Sequence, residues 1–243
     1  MRALILTLAT LTAASAHASW FGTDCQEQAE RSATQSAAGV TKVVIVGRAG
    51  FLHIEGHSGA TAIHANGTAC AAIEEELVGI RLEASRSGSE VRIEAVVPNH
   101  EAAFFASSPK LDFTVTVPAG VAVDVVDTSG EMTISDVGSA NVNDTSGSIE
   151  IRHVTGDVTV RDTSGEIDIE DVGGNVRIPS DSSGSIDIRR VRGNVTIDDD
   201  GSGSVNVSDV GGDFLISEKG SGSIGYDGVK GHVSVPARHR HRD

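Results

Sequence analysis

Aromatic side chains are scarce in this chain, at 3% of its residues with one Trp and one Tyr. Sites that cut polysaccharides rely on aromatic platforms beside clustered carboxylates, so the scarcity argues against that class of enzyme. Positive charge is also short: 19 Lys and Arg stand against 34 Asp and Glu, a formal charge of -15. Nucleic acid is thereby excluded as a partner, because neutralising phosphates needs clustered Lys and Arg. Simple adsorption to anionic lipid is disfavoured for the same reason. Beyond the N-terminus no apolar run approaches the length needed to cross a bilayer. Cysteine is limited to Cys25 and Cys70.

The one long apolar stretch is at the start. Arg2 followed by the apolar segment Ala3 to Ala14 and the small-x-small triplet Ala16-His17-Ala18 has the form of a secretory signal, residues 1–18. Mature protein is expected to begin at Ser19, with 19–39 as a polar lead-in. Cys25 does not directly follow the cleavage site, so no lipid anchor is expected. The destination is the periplasm, the cell surface or the medium. In such an oxidising compartment a pair of cysteines without a third competitor forms a disulfide. Bridging Cys25 and Cys70 closes a long loop, for which the chain-entropy model gives about 4 kcal/mol. The alternative, a metal pair, finds no further ligands at suitable spacing.

What the sequence has in abundance is a repeat between Asp127 and Pro236. Six glycines, Gly130, Gly147, Gly165, Gly184, Gly203 and Gly222, follow one another at spacings of 17, 18, 19, 19 and 19 residues, each preceded by Ser. Two and four residues after each stand apolar pairs such as Ile149/Ile151 and Ile167/Ile169, with a polar residue between, the alternation of a short strand. Val follows at the seventh position in every copy (Val137, Val154, Val172, Val191, Val210, Val229). Copies two to six then carry a second Gly and a second pair, such as Val158/Val160 or Val233/Val235. Each copy reads strand, corner, strand, corner.

Two strands this short enclose almost nothing, so the copies must stack. The expectation is an all-β fold, a parallel β-solenoid or single-stranded β-helix of 17–19 residues per rung. Right-handed coiling follows from the general preference of parallel crossovers. Six rungs at one strand spacing would make a rod segment of ~29 Å, filled by Ile and Val. Residues 40–126 read as irregular rungs of the same coil, with apolar runs at 43–46, 51–54, 61–64, 77–82, 91–97, 113–117 and 121–125, interrupted by a loop over 98–112. Residues 26–38 suit a polar helical turn or a disordered lead-in. The basic tail 237–243 is expected to be a disordered end that blunts an open strand edge.

The phrase Phe113-Thr-Val-Thr-Val-Pro118-Ala-Gly, the Thr-Ser-Gly-Glu/Ser-Ile-x-Ile repeats after it and the closing Val233-Ser-Val-Pro236 resemble a bacterial family. It is the exported β-strand-repeat family labelled "putative adhesin", a domain of unknown function. The likeness covers roughly residues 40–236. It implies a β-helix in the cell envelope and brings no catalytic residue.

Three constellations carry possible chemistry. Asp-Thr-Ser-Gly at 127, 144 and 162 looks like the aspartic protease signature, but that site needs two such loops facing each other. The corner serines lack the His and the strand-to-helix elbow of a nucleophile. The column Asp127, Asp144, Asp162, Asp181 and Asp200 suits turn formation by hydrogen bonding to nearby backbone. Calcium lodged between rungs is the alternative, since hard cations take several carboxylate and carbonyl oxygens. Against it, the nonapeptide of calcium-binding β-rolls is absent and Lys219 takes the Asp position in the last copy. No other cofactor is implied.

The functional expectation is a non-enzymatic envelope module, a binding or scaffold element and in one version an adhesin. Its partner would be an envelope or surface glycan or protein. A carbohydrate-active β-helix enzyme and an envelope polymer assembled end to end are the alternatives.

Overall fold

The computed structural model describes residues 25–98 and 109–236. The expected signal segment, most of the 98–112 loop and the basic tail lie outside the described residues.

The chain enters as strand β1 (Glu27–Ser36), followed by β2 (Lys42–Val46), β3 (Leu52–His57) and β4 (Ala62–Ala71). A short helix α1 (Glu74–Gly79) precedes β5 (Arg81–Ser87), β6 (Glu90–Val96), β7 (Lys110–Pro118) and β8 (Ala122–Val126). Two expectations are corrected here. The polar segment 26–38 is a strand, and the first part of 77–82 is helix. In β1 the residues alternate between exposed and half-buried, and ten consecutive partners on β4 supply the hydrogen bonds that its polar sequence could not advertise. In α1, three glutamates in the first turn suit the positive end of a helix. The Arg31 guanidinium, on β1, donates to the carbonyls of Ile80 (2.6 Å) and Leu77 (2.8 Å) and so holds the end of that helix.

The repeats then alternate between two sheets. Strands β9 (Met132–Ser135), β11 (Ile149–Val154), β13 (Ile167–Val172), β15 (Ile186–Val191), β17 (Val205–Val210) and β19 (Ile224–Asp227) join the first sheet. Strands β10 (Ser139–Asn143), β12 (Val158–Arg161), β14 (Val176–Ser180), β16 (Val195–Ser202), β18 (Phe214–Ser221) and β20 (Val233–Ser234) join the second. Neighbouring copies pair in parallel and in register, Ile149 with Ile167 and Ile167 with Ile186. In the first five copies the apolar pairs of both sheets point inward, and Ile151, Ile169, Ile188, Val160, Ile178 and Ile197 are all fully buried. Burial of each such side chain is worth roughly 1.5–3 kcal/mol.

The parallel β-solenoid is nevertheless not the architecture. Among the described residues there are two open sheets of ten strands, ordered β1-β4-β7-β3-β9-β11-β13-β15-β17-β19 and β20-β18-β16-β14-β12-β10-β8-β2-β6-β5. Both are mixed: β1 with β4, β4 with β7, and β5 with β6 run antiparallel. Chain order is broken as well, because β7 lies between β4 and β3 and the parallel partners of β2 are β6 and β8. The fold is a sandwich-like pair of facing sheets, and the expected handedness of coiling lapses with the coil. Within residues 40–126, β2, β3, β6, β7 and β8 have parallel, in-register partners, while antiparallel pairing enters through β4 and between β5 and β6. The β5–β6 hairpin turns at Gly88, whose φ of 60° is free of steric cost only for glycine.

Cys25 and Cys70 form the expected disulfide, with Cα atoms 5.4 Å apart. It ties the entry to β1 to the end of β4.

Corner glycines are packed backbone to backbone. At Gly165 φ is 147°, and an added Cβ would lie 1.5 Å from the Gly147 carbonyl oxygen. Gly165→Ala is therefore expected to cost at least about 3 kcal/mol in urea unfolding, the top of the usual range for one substitution. Gly88→Ala, with nothing within 4 Å of the added carbon, is expected to cost about 1–2 kcal/mol from its φ alone. Equal costs would contradict the close packing.

Candidate functional site

Each copy turns twice, and the two corners differ in kind. The first follows the second-sheet strand and carries the Asp-Thr-Ser-Gly phrase. Asp127, Asp144, Asp162, Asp181 and Asp200 stack there with their side chains turned inward, none more than 8% exposed. Strand alternation could have shown this for the first three: Val125-x-Asp127, Val142-x-Asp144 and Val160-x-Asp162 keep the inward period of two. In the other two copies Asp181 and Asp200 follow Ile178 and Ile197 by three residues, and the ladder shifts register near Pro179.

The turn-forming role is met in part. Asp162 Oδ1 accepts the Thr163 N–H at 2.7 Å. Both carboxylate oxygens of Asp144 and of Asp181 have no hydrogen-bond partner, nor has Asp162 Oδ2. Burial raises all five carboxyls above the ordinary 3.8. Asp127 reaches about 7, with the Thr128 N–H opposing and the charge of Asp144 adding. Asp144 and Asp181 reach about 6; burial dominates in both and the neighbouring carboxylates reinforce it, while the nearby N–H groups of Thr145 and Ser146 at Asp144, and of Ser183 and Ser182 at Asp181, pull the other way. Asp162 and Asp200 are raised by burial too, with the N–H groups of Thr163 and Ser164 opposing at Asp162 and Lys219 opposing at Asp200. The Lys219 side chain is 4% exposed and its Nζ lies 3.1 Å from Asp200 Oδ2.

Protease and nucleophile readings find no geometry. The Asp-Thr-Ser-Gly corners stack in one direction, and Ser164 pairs across the ladder with Ser183, so no two loops face each other. Corner serines are engaged in structure: Ser146 Oγ donates to the Thr128 carbonyl at 3.2 Å and Ser164 Oγ to that of Thr145 at 3.3 Å. Among the described residues no group of three or more His, Cys, Asp or Glu is arranged to hold a metal. No helix there is long and apolar enough to cross a membrane.

The second corner follows the first-sheet strand and was missed in the sequence. Asp136, His153, Asp171, Arg190 and Asp209 hold left-handed backbone, with φ between 54° and 59°. Such backbone is uncommon outside glycine and costs of the order of 1–2 kcal/mol per residue. The signal was present: all stand six residues after the corner Gly, and the sixth copy has Gly228 there, at φ 64°. Their side chains point outward. His153 lies 3.7 Å from Asp136 and 3.6 Å from Asp171. Arg190 Nε donates to Asp171 Oδ1 at 2.7 Å, and its guanidinium also meets Glu170.

Beside this column runs a groove of about 1090 Å³, lined by these five residues together with Thr155, Gly173, Arg192, Gly211 and Lys230. Arg192, Asp209 and Lys230 make no side-chain hydrogen bond or ion pair among the described residues. Flanking it, the outward face of the first sheet carries Glu150, Asp168, Asp187 and Asn206 in register.

The chain matches no protein-family model and no curated protein. Among solved structures, a "putative adhesin" from Bacteroides fragilis is similar over 87% of this chain and 98% of its own, at 15% identity and a TM-score of 0.45. A "putative cell adhesion protein" from Clostridium sporogenes is similar over 86% and 100%, at 11% identity and a TM-score of 0.43. A "putative lipid binding protein" from Parabacteroides distasonis gives 86% and 97%, 11% and 0.31. At such scores the likeness carries no conclusion about what this chain binds.

The raised carboxyls set a pH dependence. They hold protons more tightly in the fold than in the unfolded chain, where the ordinary 3.8 applies. Their stabilisation is complete below that value and is lost as pH rises through about 6 for Asp144 and Asp181, and about 7 for Asp127. The unfolding free energy from urea titrations in chelator should therefore fall between about pH 4 and pH 7, by of the order of 3 kcal/mol per group, and the urea midpoint with it. Asp181→Asn should flatten part of that slope. A midpoint rising over the same window would contradict the burial of the column.

Proposed function

We propose that the protein is an exported, non-enzymatic binding module of the cell envelope whose ligand lies along the second-corner groove. The observation that carries this reading is the left-handed column: strained backbone in five successive copies, each presenting a charged or ionisable side chain to one groove. Strain repeated in this way is retained where the side chains it presents are used. Arg192, Asp209 and Lys230 are left free for a partner. They offer both signs of charge, spaced by multiples of the strand repeat, ~4.8 Å.

That arrangement suits an extended polar polymer with carboxylate, hydroxyl and amide groups along its length. Envelope glycans, peptidoglycan included, have that chemistry. Three of the carboxylates beside the groove support binding over catalysis, while Asp209 is left free for the ligand. Asp171 and Glu170 are engaged by Arg190, and Asp168 by Arg189 at 2.9 Å, so they are held as parts of the scaffold. Export is supported by the signal-like residues 1–18 and by the Cys25–Cys70 disulfide, a bond that persists in oxidising compartments.

Co-sedimentation of the mature protein with purified peptidoglycan and envelope polysaccharides tests the reading. Each charge-assisted hydrogen bond is worth roughly 1.5–3 kcal/mol, so Arg192→Ala with Lys230→Ala is expected to weaken binding about tenfold or more. Unchanged affinity would remove the groove from the site. Protease treatment of intact and permeabilised cells fixes the compartment: cleavage on intact cells means the surface, protection until permeabilisation means the periplasm.

A further inference from the structure

The sixth copy departs from the other five in the buried column, and the departure is informative. Lys219 pairs in register with Asp200, at the place where the preceding copies carry Asp. Its ammonium lies 3.1 Å from Asp200 Oδ2, donates to the Gly203 carbonyl at 2.9 Å and also donates to the Ser221 carbonyl. A positive charge is thus enclosed by one carboxylate and two carbonyls, one from each of two adjoining corners. One copy earlier the corresponding acceptors are the Asp181 carboxylate and the carbonyls of Gly184 and Ser202. There the next side chain is Asp200, a second carboxylate in place of a cation. The oxygens of Asp181 have no hydrogen-bond partner, and those of Asp200 have only the Lys219 ammonium beside Oδ2. The same pattern recurs two copies back, where both oxygens of Asp144 and one of Asp162 are without partners, beside the corners of Gly147 and Ser164.

We propose that the Asp181/Asp200 corner and the Asp144/Asp162 corner each bind a calcium ion, held by two carboxylates and by the adjoining Gly and Ser carbonyls. Size supports this choice of cation. Successive strands are ~4.8 Å apart, twice the 2.3–2.6 Å of a calcium–oxygen bond. An ion midway between equivalent oxygens of neighbouring copies therefore reaches both. Magnesium, at 2.0–2.1 Å and with reluctant dehydration, falls short of that span. Each corner has three carboxylate oxygens that no other group engages, Asp181 Oδ1 and Oδ2 with Asp200 Oδ1, and Asp144 Oδ1 and Oδ2 with Asp162 Oδ2; with two carbonyls they give five ligands, and one water completes the six that calcium requires. The sites are two strand spacings apart, ~9.6 Å, so one copy separates the ions. Burial is what makes the ion valuable: desolvated carboxylates must otherwise hold protons, and a divalent cation offsets a pair of them at once. Lys219 ends the series by supplying its own charge.

The test uses the mature chain, stripped with chelator, passed into calcium chloride buffer above pH 7 and desalted. Elemental analysis is expected to find one calcium per proposed site, and the melting temperature to rise with calcium but not with magnesium. Asp181→Asn should halve the calcium content, the intact Asp144/Asp162 corner reporting that the variant is folded. Failure of the wild-type chain to retain calcium, with the same melting temperature in calcium and in chelator, would overturn the proposal and leave the column to protons alone. Retention undiminished in both Asp181→Asn and Asp144→Asn would overturn it equally, by placing the ion elsewhere.

Discussion

Parallel hydrogen bonding in register between successive copies is the constraint on which the rest of the molecule depends. It sets Ile149 on Ile167 and Ile167 on Ile186, and likewise Val158 on Val176 and Val176 on Val195. Anything written once per copy becomes a column. For apolar residues the consequence is a continuous core between the sheets. For polar residues it is a row of like groups one strand spacing apart, which must find partners along the row. The Asx row at the second-sheet entry does so: Asp157 accepts the Asn175 N–H, Asn175 that of Asn194, Asn194 that of Asp213, and Asp213 that of His232. The buried aspartates do not, and only Asp200 has a countercharge.

The two corners divide labour because of where the chain can bend. At the Ser-Gly corner, Gly of one copy rests on the carbonyl of the Gly before it, so no side chain fits and variation is confined to the neighbours. At the other corner the backbone is left-handed and each of the first five copies presents a side chain outward. That is the corner where Asp, His and Arg replace one another and where the groove lies. Fixed backbone inside and variable side chains outside is what a repeated scaffold needs to carry a binding surface.

The N-terminal part completes both sheets by a different route. β1, β4 and β5 pair antiparallel, and the disulfide and the Arg31 contacts to α1 fasten the outermost strand. Alternation in 43–46, 91–97 and 113–117 was enough to locate β2, β6 and β7. It could not reveal that β7 would insert between β4 and β3. The run Glu27–Ser36 offers the core only Ala29 and Ala33, so its strand depends mainly on the hydrogen bonds to β4.

The sequence by itself determined the repeat, the strand pair in each copy, the inward Ile and Val, the corner glycines and the pair of cysteines that bridge. These follow from local alternation and from backbone sterics, which act over a few residues. Only the tertiary structure decided the direction and order of strand pairing, the two open sheets in place of one coil, the burial of Asp181 and Asp200 and the groove at the left-handed corner. Pairing partners are chosen across long stretches of chain, and a carboxyl's burial depends on what packs over it from other copies. Neither quantity is set by the residue or its immediate neighbours.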